Sequence, residues 1–270
     1  MLSAEAPQNR PYERYERNPM KHTAPITLVT GASRGIGAAT ARRLAKLGHA
    51  VVVNYTRDAA SANALVDELK RGGAQALAVQ ADVAIEADVL RLFGACDEAF
   101  GPLTGLVNNA GIVDSLARLD EMSGERFHRM MAVNVVGSLL CAREAVLRMS
   151  TRHGGRGGAI VNVSSVAARL GAPNNFIDYA ASKGAIDTLT LGLSKEVAGE
   201  GIRVNAVRPG IIDTEIHAAA GVPDRAEAMA SQIPIQRAGR ADEVASVIEW
   251  LLSEGASYTT GALIDVAGGR

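Results

Sequence analysis

Apolar and polar positions alternate along this chain in two recurring patterns. Short runs rich in valine and isoleucine, without a polar residue at every second place, occur at Ile26–Thr30, Ala50–Tyr55, Ala76–Gln80, Leu106–Asn109, Ala159–Ser164, Ile202–Val207 and Leu263–Val266. Continuous apolar runs of this length predict strands of a parallel sheet covered on both faces. Longer segments with helical spacing lie between them: Ala38–Leu47 before Gly48, Ala59–Arg71 before Gly72-Gly73, Ile85–Phe100, Glu125–Thr151 before the glycine-rich loop 153–158, and Tyr179–Gly199. Glycine after the last periodic residue is a helix stop. Strand and helix alternate with no internal repeat and no interdomain linker. The chain is therefore expected to form a single α/β domain over residues 25–270, a doubly wound parallel sheet of about seven strands with helices on both faces.

Residues 1–24 stand outside this pattern. Tyr12, Tyr15, Arg10, Arg14 and Arg17 follow neither a helical nor a strand period. The segment reads as a flexible N-terminal extension, with Met20 as an alternative start; an arm packed on a neighbouring subunit is the other reading.

Composition narrows the function classes. Hydrophobic residues make up 47% and charged residues 21%, an ordinary globular balance. A formal net charge of -1 gives no global attraction to nucleic acid or to an anionic membrane. No apolar run reads as long enough to span a bilayer, and the N-terminus has no secretory core. The two cysteines, Cys96 and Cys141, lack a CxxC spacing and read as small buried hydrophobes. The five histidines lack HxxxH or HExxH spacing, so no metal site is expected. These features suit a reducing cytoplasm.

Two stretches carry candidate chemistry. In Tyr179-Ala180-Ala181-Ser182-Lys183, a helix places Tyr179 and Lys183 on one face about one turn apart. A phenol is a poor acid or base at neutral pH because its ordinary pKa is about 10. An ammonium about 4 to 5 Å away, at an effective dielectric of about 20, favours the phenolate by roughly 3 to 4 kcal/mol. The pair is therefore expected to exchange protons near neutrality with a lowered phenol pKa. The second stretch, Thr30-Gly31-Ala32-Ser33-Arg34-Gly35-Ile36-Gly37, joins a strand to a helix. Its glycines admit a pyrophosphate to the backbone, and the helix N-terminus supplies N–H donors and a positive dipole end.

The TGxxxGxG pattern of this turn resembles the short-chain dehydrogenase/reductase family, and the resemblance runs through nearly all of residues 25–270. Asp82-Val83 follows the third strand where the family contacts adenine. Asn108-Asn109-Ala110-Gly111 matches the family's NNAG. Asn134 falls in the long helix that holds a catalytic asparagine in the family, Ser165 closes the fifth strand, and Tyr179 and Lys183 follow. Arg208-Pro209-Gly210 and Thr214 complete the series. Ser165 precedes Tyr179 by fourteen positions where thirteen is common in the family, which leaves Ser164 as an alternative.

The resemblance implies a Rossmann fold and hydride exchange between a nicotinamide and a carbonyl or alcohol carbon. Tyr179 is the implied proton donor and acceptor, and Ser165 holds the substrate oxygen. Lys183 binds the ribose and lowers the phenol's pKa, and Asn134 holds a relay water. The implied cofactor contacts are Gly31, Ser33, Arg34, Ile36, Gly37, Tyr55, Arg57, Asp82, Val83, Asn109, Ala110, Gly111, Tyr179, Lys183, Pro209, Gly210, Ile212 and Thr214. NAD-preferring relatives end the second strand in an acid; Tyr55 stands there, with Arg34 and Arg57 nearby, so NADP(H) is expected over NAD(H). Residues 213–234 resemble a mobile substrate lid, in which His217 reads as a surface residue. Arg126, Arg129, Arg143, Arg148, Arg152 and Arg156 form a basic run, either a solvated face or a dock for an acidic carrier protein. The implied substrate is a small sugar, polyol or ketone, with 3-oxoacyl-carrier-protein reduction as the alternative and a homotetramer or homodimer as the assembly. A regulator that binds NADP without catalysis is the reading from another class; it has no need of the Ser, Tyr, Lys and Asn set.

Overall fold

A computed structural model describes residues 24–270. The expected N-terminal extension and Met20 lie outside the described residues, as does the side chain of His217. The elements run β1 Ile26–Val29, α1 Gly35–Lys46, β2 Ala50–Tyr55, α2 Ala59–Arg71, β3 Ala76–Gln80, α3 Glu86–Ala99 and β4 Gly105–Asn108. Then come α4 Gly124–Met131, a π-helical turn Ala132–Val136, α5 Gly137–Met149, β5 Gly158–Val163, α6 Ala167–Leu170 and α7 Ile177–Val197. The chain ends with β6 Ile202–Pro209, β7 Ile212–Asp213, α8 Ile216–Ala219, α9 Arg225–Ala228, β8 Gly239–Arg240, α10 Ala241–Leu252 and β9 Leu263–Val266.

Seven strands form one parallel sheet in the order β3-β2-β1-β4-β5-β6-β9, as the alternation predicted. Successive strand residues feed opposite faces. Val52 joins Leu28, Leu106 and Ile160 against Phe93, Cys96, Cys141 and Met149 of α3 and α5. Val51 and Val53 join Val107 and Val161 against Leu44, Leu65 and Ile248 of α1, α2 and α10. Both faces are buried, so neither needs polar residues and the strands read as apolar throughout. Local caps set the helix starts: Asp58 accepts from the backbone N–H of Ser61 at 3.0 Å, and Ser123 from that of Arg126 at 3.2 Å.

A buried polar ladder crosses the middle of the sheet. Asn108 Nδ2 donates to Asn162 Oδ1 at 3.0 Å, and Asn162 Nδ2 donates to Thr190 Oγ1 at 2.9 Å. This ties β4 to β5 and β5 to α7, at the level where functional residues begin.

Four features depart from the sequence reading. Helix α10 was not foreseen; its first turn holds Asp242 and Glu243, and Val244, Ile248 and Leu251 form its buried stripe. The ladder of Ile212 with Gly239 and Asp213 with Arg240 was also not foreseen. The long helix Glu125–Thr151 is broken by the π turn that holds Asn134. Finally, Gly124–Met149 does reach membrane-spanning length and apolarity, with a mean hydropathy of 1.5. Met130, Cys141, Ala142, Ala145 and Met149 are buried on it, Arg126 makes a buried ion pair with Asp178, and Arg129 and Arg143 make exposed ones, so one face of this helix packs into the core of its own domain.

Replacing Asn162 by leucine removes one partner from Asn108, whose Nδ2 keeps the Ser138 carbonyl at 3.2 Å, and one from Thr190, whose Oγ1 keeps the Ile186 carbonyl at 2.8 Å. The expected loss is about 1 kcal/mol for each hydrogen bond removed, read as a lower midpoint in urea denaturation; an unchanged midpoint contradicts the role given to this ladder.

Candidate active site

The site is assembled at the carboxyl ends of β1, β4, β5 and β6. Strand order reverses between β1 and β4, and in open α/β sheets that reversal opens the ligand crevice. Here the two turns touch. A Cβ on Gly31 (φ +60°) would lie 2.9 Å from Ala110 Cα. A Cβ on Gly37 would lie 2.8 Å from both Ala32 Cα and the Gly31 oxygen. These glycines let the turn after β1 fold tightly beside the turn after β4.

Side chains brace that contact. Asn109 Nδ2 donates to the carbonyls of Thr30 (2.8 Å) and Gly31 (3.0 Å), and Thr30 Oγ1 accepts from the N–H groups of Asn109 (3.0 Å) and Ala110 (2.9 Å). Asn54, not singled out from sequence, is buried at the end of β2. It accepts from Gly31 N at 3.1 Å and donates to the Ala81 carbonyl at 3.0 Å, tying the glycine turn to the ends of β2 and β3. The only hint in the sequence was a polar residue inside an apolar run. Asn109 thus contributes by holding the loop, since its carboxamide is spent on Thr30 and Gly31.

The other expected contacts fall around this turn. Ser33 and Ile36 are half-buried within it, and Arg34 is exposed as the residue preceding α1. Tyr55 is half-buried at the end of β2 and Arg57 is exposed just beyond it. Asp82 Oδ1 accepts from Ala84 N at 3.0 Å, while Val83 packs into the core. Thr214 reaches across to the glycine turn, its Cγ2 3.5 Å from a Cβ position on Gly35. Gly210 lies against Ala267, and the Ile212 side chain is buried in the core, leaving backbone to face the crevice there. Gly111 sits between two groups, Asn134 Oδ1 and Lys183 Nζ, each 3.5 Å from its Cβ position.

Helix α7 starts at Ile177, two residues earlier than expected, and carries both Tyr179 and Lys183. The loop before it takes up the extra residue of the Ser–Tyr spacing with left-handed Gly171, Ala172 and Asn174. Ser165, whose Oγ accepts from Ala167 N at 3.1 Å, is the side chain that pulls the Tyr179 phenol downward. Ser164 points the other way, donating to Asp187 Oδ1 at 2.7 Å, so Ser165 is the serine on the Tyr179 side. Lys183 is buried; its Nζ donates to the Val163 carbonyl at 2.7 Å and lies 5.6 Å from the centre of the Tyr179 ring. Asn134 is fully buried. Its Oδ1 accepts from Ile112 N at 2.8 Å, and its Nδ2 donates to the Ile112 carbonyl at 3.0 Å and to Ser182 Oγ at 3.1 Å. The Asn134 side chain is thus engaged with Ile112 and Ser182; π turns recur at functional sites, and this one aims Asn134 at Ile112.

The electrostatics differ from the sequence expectation. Burial pushes the Tyr179 phenol up to about 12, against a downward pull from the Ser165 hydrogen bond. Burial pulls the Lys183 ammonium down to about 8, and Asp187 opposes that fall. The expected lowering of the phenol by Lys183 is absent because the ammonium is directed at a carbonyl and desolvation dominates.

Other candidates lie away from this chemistry. The thiols of Cys96 and Cys141 are pushed up to about 12 by burial, which leaves them inert. The basic run is largely neutralised: Arg126 pairs with Asp178, Arg129 with Asp114, Arg143 with Glu86, Arg148 with Glu144 and Asp97, and Arg152 with Glu200. A cavity of about 1000 Å³ opens between α1, α10 and the segment 213–223, touching the glycine turn only through Gly35; neither Ser165 nor Tyr179 nor Lys183 lines it.

Known proteins share this arrangement. A family described as enoyl-(acyl carrier protein) reductase matches residues 31–270. An oxidoreductase of Escherichia coli K12, YgfF, is 54% identical over 245 residues, covering 91% of this chain and 99% of its own. Glucose 1-dehydrogenase 2 of Bacillus subtilis is 38% identical over 247 residues, covering 92% and 95%. A short-chain dehydrogenase of Burkholderia cenocepacia, solved with NADP, superposes with a TM-score of 0.82 at 36% identity, covering 91% of this chain and 97% of that one. With this fold, this match and these relatives, the chain belongs to the short-chain dehydrogenase/reductase family of oxidoreductases.

Proposed function

We propose that this enzyme is an NADP(H)-preferring oxidoreductase that interconverts a small carbonyl compound and its alcohol, with a sugar, polyol or ketone as substrate. The observation that carries the reading is the grouping of Tyr179 and Lys183 on α7, with Lys183 Nζ 5.6 Å from the centre of the Tyr179 ring and Ser165, just past β5, acting on the phenol. A dinucleotide fits the crevice on geometric grounds. The glycine turn keeps its backbone free of side-chain bulk at Gly31, Gly35 and Gly37, at the N-terminus of α1. Bound there, the nicotinamide supplies or accepts the hydride. Tyr179 protonates the carbonyl oxygen in reduction and takes the alcohol proton in oxidation. Ser165 hydrogen-bonds that same oxygen. Lys183 supplies a positive charge beside the phenol and donors for a ribose. Asn134 holds Ile112, and with it the loop that follows Gly111.

The NADP preference is supported by the absence of a carboxylate at Tyr55 and by two exposed arginines beside it. The NADP complex of the Burkholderia relative supports the same reading. Residues 213–234 would close over the substrate as a lid, in a homotetramer or homodimer in the cytoplasm. The glucose dehydrogenase relative favours a polyol. The basic helix that would receive an acidic carrier protein is largely paired internally, which weighs against the acyl-carrier substrate.

Three outcomes test this reading. Tyr179→Phe should abolish turnover with NADPH affinity nearly unchanged, and Lys183→Ala should damage both; turnover by Tyr179→Phe at the wild-type rate contradicts the mechanism. NADPH should exceed NADH in kcat/KM by about tenfold or more if one arginine makes a charged hydrogen bond to the 2′-phosphate. Arg57→Ala should erode that ratio, and Arg57→Ala with Tyr55→Asp should reverse it; equal use of both cofactors by the wild type sinks the preference. The third outcome is a pH profile. A phenol raised to about 12 keeps its proton through neutrality, which suits reduction and limits oxidation. Oxidation should therefore speed up as pH rises from neutrality, as more of the phenol loses its proton, while reduction does not. Oxidation that slows as pH rises from neutrality excludes Tyr179 as the base.

A further inference from the structure

A buried carboxylate outside the proton-transfer set joins three pieces of the site. Asp187 lies one turn beyond Lys183 on α7 and is 8% exposed. Its Oδ1 accepts from Ser164 Oγ at 2.7 Å; its Oδ2 accepts from Arg208 Nε at 3.1 Å and Nη2 at 2.8 Å. Ser164 directly precedes Ser165, and its hydroxyl also reaches the Lys183 carbonyl at 3.2 Å. Arg208 directly precedes Pro209-Gly210 on β6. The chain of charges continues outward: Arg208 Nη1 is 3.7 Å from Asp265 Oδ1 on β9, and Asp265 Oδ2 is 3.1 Å from Arg169 Nη2 on α6.

Stability alone is a poor account of this arrangement. A buried ion pair contributes little more than apolar residues of the same volume, because desolvation offsets the attraction. It does supply direction. Apolar packing lets a helix slide and turn on a sheet by small amounts, whereas a carboxylate with both oxygens engaged fixes height and rotation together. Displacing a reacting group by about 1 Å can cost about a hundredfold in rate. Asp187 also opposes the loss of charge on Lys183 that burial causes.

We propose that Asp187 is a positioning residue: through Ser164 and Arg208 it locks the Tyr179–Lys183 helix in register with the ends of β5 and β6, and so sets the spacing among Ser165, Tyr179 and the Pro209-Gly210 backbone. The kinetic part of this proposal rests on the oxidoreductase reading above.

The test compares the wild type with Asp187→Asn and with the paired variant Asp187→Leu/Arg208→Leu. Asp187→Asn should lose about a hundredfold in kcat with the KM for NADPH changed less than about threefold. It leaves the part-buried Arg208 with only the longer contact to Asp265, so it is also expected to melt lower; the paired variant removes both charges and should regain the wild-type melting temperature. Its kcat should nevertheless stay low. Recovery of kcat together with stability would make Asp187 a structural ion-pair partner only and overturn the proposal. If the wild type turns over none of a panel of ketones, aldehydes and sugars with NADPH, the oxidoreductase reading fails. The positioning claim is then read from crystal structures of the wild type and the paired variant: Ser165 Oγ and Tyr179 Oη should lie about 1 Å or more further apart in the variant, and an unchanged separation overturns the claim.

Discussion

The site depends on the close approach of two backbone turns. The turn after β1 lies against the turn after β4 because Gly31 leaves room for Ala110, and the approach is held by Thr30 and Asn109, which satisfy one another's backbone groups. Every later part of the active site is placed relative to this contact. Asn54 anchors it from β2, Thr214 meets it from the far side, and Gly111 continues from it to Asn134 and Lys183. Backbone polar groups that emerge between strand ends would otherwise need water; here protein side chains take most of them, leaving a stiff rim.

Helix α7 meets that rim with the reactive side chains. Burial acts oppositely on its two titratable groups, raising the phenol and lowering the ammonium, because each is driven toward its neutral form. The resting site therefore holds a protonated phenol beside a lysine close to titration. On the oxidoreductase reading this is an acid ready for carbonyl reduction. It becomes a base only when charge is brought close to the phenol. The Arg126–Asp178 pair, bidentate and buried, pins the residue before Tyr179 to α4, so the start of α7 is held as firmly as its middle.

Most of the frame was legible in the sequence because apolar runs and glycine stops are local signals. The strand limits at β2, β3 and β9 agree with those read from the residues, and α2 agrees at both ends. What escaped depends on long-range contacts. Helix α10 is the exception: its acidic first turn and the spacing of Val244, Ile248 and Leu251 are local signals that were there to be read. The π turn at Asn134 arises because its side chain reaches Ile112, 22 residues away. The phenol's raised pKa reflects burial, which spacing along a helix does not report. The preference for Ser165 over Ser164 was readable from the alternation of side chains at a strand end, and Ser164 is the one bonded to Asp187. Arginines that looked like a basic surface found acidic partners on α3 and α7 that no linear reading brings together, while the pairing of Arg148 with Glu144, one turn apart on α5, was there to be read.

The central claim is that this crevice directs a hydride between a nicotinamide and a carbonyl carbon while Tyr179 moves the proton. The most direct measurement follows the hydride itself. With NADPH carrying deuterium at the transferable position, the alcohol formed from an accepted ketone or sugar should carry that deuterium on the former carbonyl carbon. Product without deuterium from NADPH labelled on either face of the ring, or no consumption of NADPH with any carbonyl offered, would contradict the account.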